Sequence, residues 1–111
     1  MDRVTEFRQI IEKAIRAWAE YAKAPEGTEH VLIFDDKTDN YVWIHTGWEF
    51  GRHVNHTLIH LGIRGGKIHV FHDGVGDGIV ADLLAAGVKE KEIVIEWHPP
   101  VRRKHTPFAL A

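Results

Sequence analysis

The sequence predicts an α+β fold: an N-terminal amphipathic helix, a four-stranded antiparallel meander, a second helix, one further strand and a C-terminal tail. Three observations predict it. Apolar residues recur at intervals of three and four near the N-terminus and again from 77 to 86. Between these stretches lie four segments rich in β-branched and aromatic residues. The loops joining those segments are short enough to demand antiparallel hairpins. A chain of 111 residues, 44% hydrophobic and 27% charged, is read as one domain over residues 1–111. At this size roughly 65% of the surface is buried on folding, so no disulfide or structural metal is needed to hold the fold.

The first helix runs from Asp2 to about Lys23, with Val4, Phe7, Ile11, Ile15, Trp18 and Ala22 on one face. Arg8, Glu12, Arg16 and Glu20 alternate in sign at spacings of four and are expected to pair along the solvated face. Ala24-Pro25-Glu26-Gly27 stops the helix, because the residue before proline avoids helical geometry. The strands are HVLIFD (30–35), NYVWIHTGW (40–48), RHVNHTLIHLGI (52–63) and KIHVFH (67–72). Gly65-Gly66 is the clearest two-residue turn, since both positions tolerate positive φ. In the second helix Asp77 is the expected N-cap, and Gly87 the left-handed residue after which Val88 packs back. Ile93 to Trp97 reads as the further strand, ended by His98-Pro99-Pro100 because two prolines donate nothing to a ladder.

Turn lengths set the register, which opposes Ile63 to Ile68, His45 to His56 and Val31 to Ile44. One face then carries Val31, Ile33, Val42, Ile44, Thr46, Trp48, Ile59, Leu61, Ile63, Ile68, Val70 and His72, and is assigned to the core. The other collects His30, Leu32, Phe34, Tyr41, Trp43, His45, Val54, His56, Leu58, His60, His69 and Phe71. A sheet apolar on both sides needs cover on both, so a homo-oligomer or a partner protein is expected there. Pro107, Phe108 and Leu110 bring apolar surface to the tail, which is expected to dock on the sheet or on a neighbouring subunit.

Composition narrows the chemistry. The chain has no cysteine, which removes disulfides, thiolate nucleophiles and every Cys-containing metal site. Fourteen Lys and Arg against sixteen Asp and Glu leave a formal charge of −2, so contact with DNA is expected to be indirect. No apolar run is long enough to span a bilayer, and the charged N-terminus is unlike a secretory signal, so a soluble cytoplasmic protein is expected. The chain has nine His. His30, His45 and His56 fall side by side in the expected register and offer the one arrangement that invites a metal-dependent hydrolytic reading. They lack a dense ligand motif and carboxylates placed to support the imidazoles, so no metal and no cofactor are assigned. The hydroxyl nucleophiles are all threonines, and none lies on a nucleophile elbow. The run Asp73-Gly74-Val75-Gly76-Asp77-Gly78 lacks the Walker lysine and the full dinucleotide fingerprint, and reads as a strand-to-helix turn. Arg102-Arg103-Lys104-His105 is the one basic cluster, read as solvated surface.

His60, Gly66-Lys67-Ile68, Asp73-Gly74, Gly78-Ile79, Asp82-Leu83, Gly87-Val88, Ile93-Val94 and His98-Pro99-Pro100 follow one another toward a distinctive ending, Arg102, Thr106 and Phe108-Ala109. With Leu32-Ile33-Phe34-Asp35, Asp39, Tyr41, Gly47-Trp48 and Arg52 upstream, this pattern closely resembles the XisI-like family of element-excision controlling factors along essentially the whole chain. Two departures stand out: Val75-Gly76 where the family pattern has Thr-Glu, and His69 and Phe71 where it has a Trp and a polar residue. The resemblance implies a small α+β protein with an accessory, non-enzymatic role in DNA element excision, acting with a site-specific recombinase and an XisH-like, nuclease-related companion. It implies no catalytic residues. The residues expected to meet a partner are Phe34, Tyr41, Trp43, His45, His56, Leu58, His60, His98, Arg102, Thr106 and Phe108. A metal-dependent enzyme built on the histidine row and a self-assembling structural domain are the competing readings.

Overall fold

The computed structural model describes residues 2–76 and 78–111. Helix α1 (Arg3–Ala22) starts where the Asp2 carboxylate accepts the Thr5 N–H at 2.8 Å, an N-cap that satisfies one of the donors left free at a helix start. It buries Phe7, Ile11 and Ile15, the middle of the predicted apolar face. The charge ladder on its outer side does not pair with itself. Arg8 instead reaches across to Asp39, with bonds of 2.8 and 3.2 Å, and Arg16 sits 4.9 Å over the Phe34 ring. A long cation beside a fixed carboxylate or ring gains more than one waving next to its helical neighbour.

The sheet has five strands in the order β1 (Thr28–Asp35), β2 (Asn40–Glu49), β3 (Arg52–Arg64), β4 (Lys67–Asp73) and β5 (Ile93–Ile95). The first four form the predicted meander, and β5 joins it parallel to β4, opposing Ile68 to Ile93. A parallel neighbour requires a crossover, and α2 (Gly78–Ala85) supplies it. Turn-proximal register is as expected: Val31 opposes Ile44, His45 opposes His56 and Ile63 opposes Ile68. The β2–β3 connection tightens to the two-residue turn Phe50-Gly51, with φ of 52° and 74°. Phe50 stands 98% exposed at its tip.

Farther from the turns the register slips by one residue twice, between Trp43 and Ile44 against β3, and between His60 and Leu61 against β4. The extra residues are Leu58 and Phe71, each a β-bulge. A one-residue slip turns every later side chain over. Trp43 therefore opposes Ile59 and Tyr41 opposes Leu61, so both aromatic residues enter the helix-covered core and are fully buried. Leu32, Phe34 and Leu58 pack against the same core. This corrects the face assignment: Val31, Ile33, Val42, Ile44, Thr46 and Trp48 lie on the opposite side, where Ile33 is 49% and Trp48 61% exposed. The second face is thus lined by Val31, Ile33, Val42 and Ile44, by His60, His69 and Phe71, by His72, which opposes His60 and not the core as expected, and near the Phe50-Gly51 turn by the exposed Trp48.

Helix α2 buries Ile79, Val80 and Leu83, and Gly78 brings its backbone so close to α1 that a Cβ would stand 2.7 Å from the Trp18 ring. The Trp18 indole N–H donates to Asp82. The N-cap assigned to Asp77 lies outside the described residues. At the other end Gly87 has φ 102° and the Val88 N–H returns to the Leu83 carbonyl at 3.0 Å, the expected left-handed stop. No described helix is long and apolar enough to cross a membrane.

Candidate partner-binding groove

After Gly87 the chain is tied down before it re-enters the sheet. Arg3 of α1 donates to both Glu92 oxygens, at 2.9 and 2.6 Å, and to the Gly87 carbonyl at 2.9 Å. That fork holds the Glu92 carboxyl down to a pKa of about 2. Past β5 the Glu96 N–H extends the ladder onto the Val70 carbonyl, and the His98 N–H turns back onto Ile95. Pro99 and Pro100 end the pairing as expected, and Pro100 opens the short helix α3 (Pro100–Arg103) at a position where its missing N–H costs nothing.

Arg103 then clasps the segment. Its Nε donates to the His98 carbonyl at 2.8 Å, its Nη1 to Leu110 at 3.1 Å, and its guanidinium stands 3.7 Å from the Glu96 carboxylate. Glu96 in turn meets His69 Nδ1 at 2.5 Å. The tail follows this path back: the Ala109 N–H donates to the Ile93 carbonyl at 2.8 Å, and Phe108 packs against the core. The predicted docking of the tail on the sheet is what the structure shows.

Between α2 and this folded-back segment lies an apolar groove of about 430 Å³. Val80, Ala81 and Leu84 form one wall, and Ile95, Trp97, His98 and Phe108 form the other. Trp97 is 47% exposed, a large aromatic surface left facing the groove, and the His98 Nδ1 is buried with no hydrogen-bond partner. Exposed Val101 and Arg102 stand on α3 beside it. Apolar walls around a half-exposed Trp with a cation nearby are the ingredients of a protein contact centre.

Of the residues expected to meet a partner, only His98 and Phe108 line the groove, with Arg102 and Thr106 in the segment that connects them. Thr106 serves the clasp, its hydroxyl donating to the Arg103 carbonyl at 3.0 Å. Tyr41 and Trp43 are inside and present no surface, and Phe34 and Leu58 are half-buried against the core. The Tyr41 hydroxyl donates to Asp36 and Asp39, and burial together with those carboxylates pushes its pKa well above the ordinary value. Arg8 holds the Asp39 carboxyl below its usual range. His60 lies on the second face, its ring 4.7 Å from that of Phe71 and its Nε2 3.1 Å from the Asn40 amide oxygen. Burial, with Arg64 nearby, lowers its pKa.

The histidine row forms in the expected order, with the His30 and His45 rings 5.5 Å apart, but on the helix side of the sheet. His30 spends its Nδ1 on the Ala19 carbonyl, at 3.1 Å. Among the described residues no group of three or more His, Asp or Glu side chains is placed to hold a metal ion. In the glycine-rich turn the Asp73 carboxylate accepts the Val75 N–H and the Gly74 N–H reaches Leu58, so these residues build a turn. Sequence reasoning missed Trp97, Glu96 and Arg103. The period-two run Ile93, Ile95, Trp97 was the available signal for the first.

Fold and groove together define a small α+β protein with helices on one face of a mostly antiparallel sheet and an apolar groove at its β5 end. The XisI protein family model matches residues 1–110. The chain is similar to the crystal structure of the fdxN element excision controlling factor XisI from Anabaena variabilis ATCC 29413, with 31% identity and a TM-score of 0.87 over 99% of this chain and all of that one. It also shares its fold with a XisI-like protein of the same organism, at 24% identity and a TM-score of 0.91 over 99% and 100% of the two chains. No curated protein matches the sequence. The chain belongs to the XisI family.

Proposed function

We propose that this protein is a non-enzymatic, cytoplasmic accessory factor in the excision of a DNA element, and that it acts by holding an XisH-like, nuclease-related companion protein in the C-terminal groove. Family membership and the 31% identity to an excision controlling factor support the process. The observation that carries the mode of action is the groove itself, with Trp97 half-exposed between apolar walls. A formal charge of −2 supports action through protein, with DNA reached indirectly.

The test is co-expression and pull-down with an XisH-like protein, followed by titration of Trp97→Asp. The expected result is micromolar or tighter binding by the wild type and a loss of about tenfold or more in the variant, the size of an aromatic hot spot. The melting temperature should stay near that of the wild type, because the ring is half in water already. Failure to associate at micromolar concentration, or equal binding by the variant, overturns the proposal.

A further inference from the structure

The two edges of the sheet are treated differently. The β5 edge is closed by the tail, whose Ala109 bonds to Ile93. The β1 edge has no neighbouring strand among the described residues. The Trp48 N–H donates to the Gly27 carbonyl at 2.9 Å, which sets which residues of β1 face β2 in the antiparallel ladder. Alternation along the register then turns the N–H and C=O groups of Glu29, Val31, Ile33 and Asp35 toward β2, and those of His30, Leu32 and Phe34 outward. Edge strands are ordinarily blunted by proline, lysine or a bulge. The eight residues of β1, TEHVLIFD, contain neither proline nor lysine, and their pairing to β2 runs without a register shift.

We propose that β1 pairs antiparallel with β1 of a second copy, about a two-fold axis at Leu32, to make one continuous sheet from two chains. In that register Leu32 opposes Leu32 of the second copy and His30 opposes its Phe34, each pair exchanging two backbone bonds. Val31 then opposes Ile33 of the second copy on the open face, which covers the half-exposed Ile33 side chain and joins two strips of Val31, Ile33, Val42 and Ile44 across the axis.

Charge supports the same register. Arg16 lies over the Phe34 ring, and the carbonyl of Ala19, next to Glu20, accepts a hydrogen bond from His30 Nδ1. Opposing Phe34 to His30 of the second copy therefore brings Arg16 of each chain toward Glu20 of the other. Neither residue has an ion pair within the described chain. The alternating ladder on α1, which does not pair with itself, is complementary to its own two-fold image. Glu29 opposes Asp35 of the second copy at the ends of the ladder, the one like-charge contact the register creates. Because β1 and β5 are opposite edges, this association leaves the C-terminal groove open and stands or falls independently of the companion.

The test uses the wild-type chain without any companion, and the absence of cysteine. Sedimentation at tens of micromolar should give the mass of two chains. The amides of His30, Leu32 and Phe34 should exchange slowly at that concentration and fast on dilution. Val31→Cys mixed with Ile33→Cys should cross-link under mild oxidation, whereas each variant alone should cross-link poorly, because like positions are offset diagonally across the axis. Glu29→Lys should tighten the dimer by about threefold, from two opposite-charge cross-strand pairs. A wild-type monomer overturns the proposal. So does a dimer whose three amides stay exchangeable, a cross-linking pattern that favours the single variants, or an edge protected only after a companion protein is added.

Discussion

Replacing Arg103 by Ala removes the clasp of the C-terminal segment, and its cost can be worked from the geometry. Two bonds from a charged donor to carbonyls, at 2.8 and 3.1 Å, are worth about 1 to 1.5 kcal/mol each after exchange with water. The contacts with Glu96, 3.4 Å to its carbonyl and 3.7 Å to its carboxylate, are long and add little. The sum is about 2 to 3 kcal/mol, which lowers the melting temperature by about 8 to 15 °C in a domain of this size. Arg103→Lys keeps the charge but cannot span both carbonyls, so it should recover less than half of the loss. Calorimetry gives the temperature and hydrogen exchange the location: the Ala109 amide, bonded to Ile93, should exchange faster in Arg103→Ala while the β2–β3 amides far from the tail keep their relative protection. A melting temperature within about 2 °C of the wild type, with unchanged tail exchange, would refute the clasp and leave Phe108 and the Ala109 bond as sole anchors.

Gly62→Ala places a Cβ 2.7 Å from Phe71 Cε2 and 3.1 Å from the Asp39 carbonyl, and should cost about 1 to 3 kcal/mol by thermal melting, less in a Phe71→Ala background where the ring no longer resists. Arg3→Ala should lower stability by about 1 to 2 kcal/mol at neutral pH, both partners being partly exposed. Because the Glu92 carboxyl is depressed from 4.5 to about 2 in the folded state, this stabilisation is complete above pH 4.5 and fades as pH falls toward 2. The wild-type and Arg3→Ala melting temperatures should therefore approach each other in acid; an undiminished gap at pH 2 would show that Arg3 acts through the Gly87 carbonyl and its packing on Phe7 instead.

The elements themselves were legible because each carries its own local signal: the spacing of Phe7, Ile11 and Ile15, the Gly65-Gly66 turn, the Gly87 stop and the paired prolines. Register was legible only as far as turn geometry reaches. In His56-Thr57-Leu58-Ile59-His60 nothing marks Leu58 as an extra residue, since apolar and amphipathic side chains flank it on both sides and suit either face. The bulge wins because it buries Trp43 and Tyr41 beneath α1, a larger gain than burying Val42 and Ile44 there. The parallel pairing of β5 rests on three residues, too few to show a period. The roles of Arg8 and Arg103 were hidden for a different reason: an arginine in a charged run reads the same whether it meets water or a distant carbonyl.

The two bulges also make inside and outside a matter of counting. β2 alternates without a break, whereas β3 keeps the phase set by the Phe50-Gly51 turn only as far as Thr57 and runs in the opposite phase from Ile59 onward. Removing the single residue Leu58 would take out the bulge and leave Ile59 following Thr57 and still opposite Trp43, with every other side chain on its present face. The face that each side chain beyond the bulge takes is thus counted from Ile59 and not from the turn, so a deletion confined to the bulge costs the contact of Leu58 with the core, while one elsewhere in the strand forces the bulge to move or the register to slip.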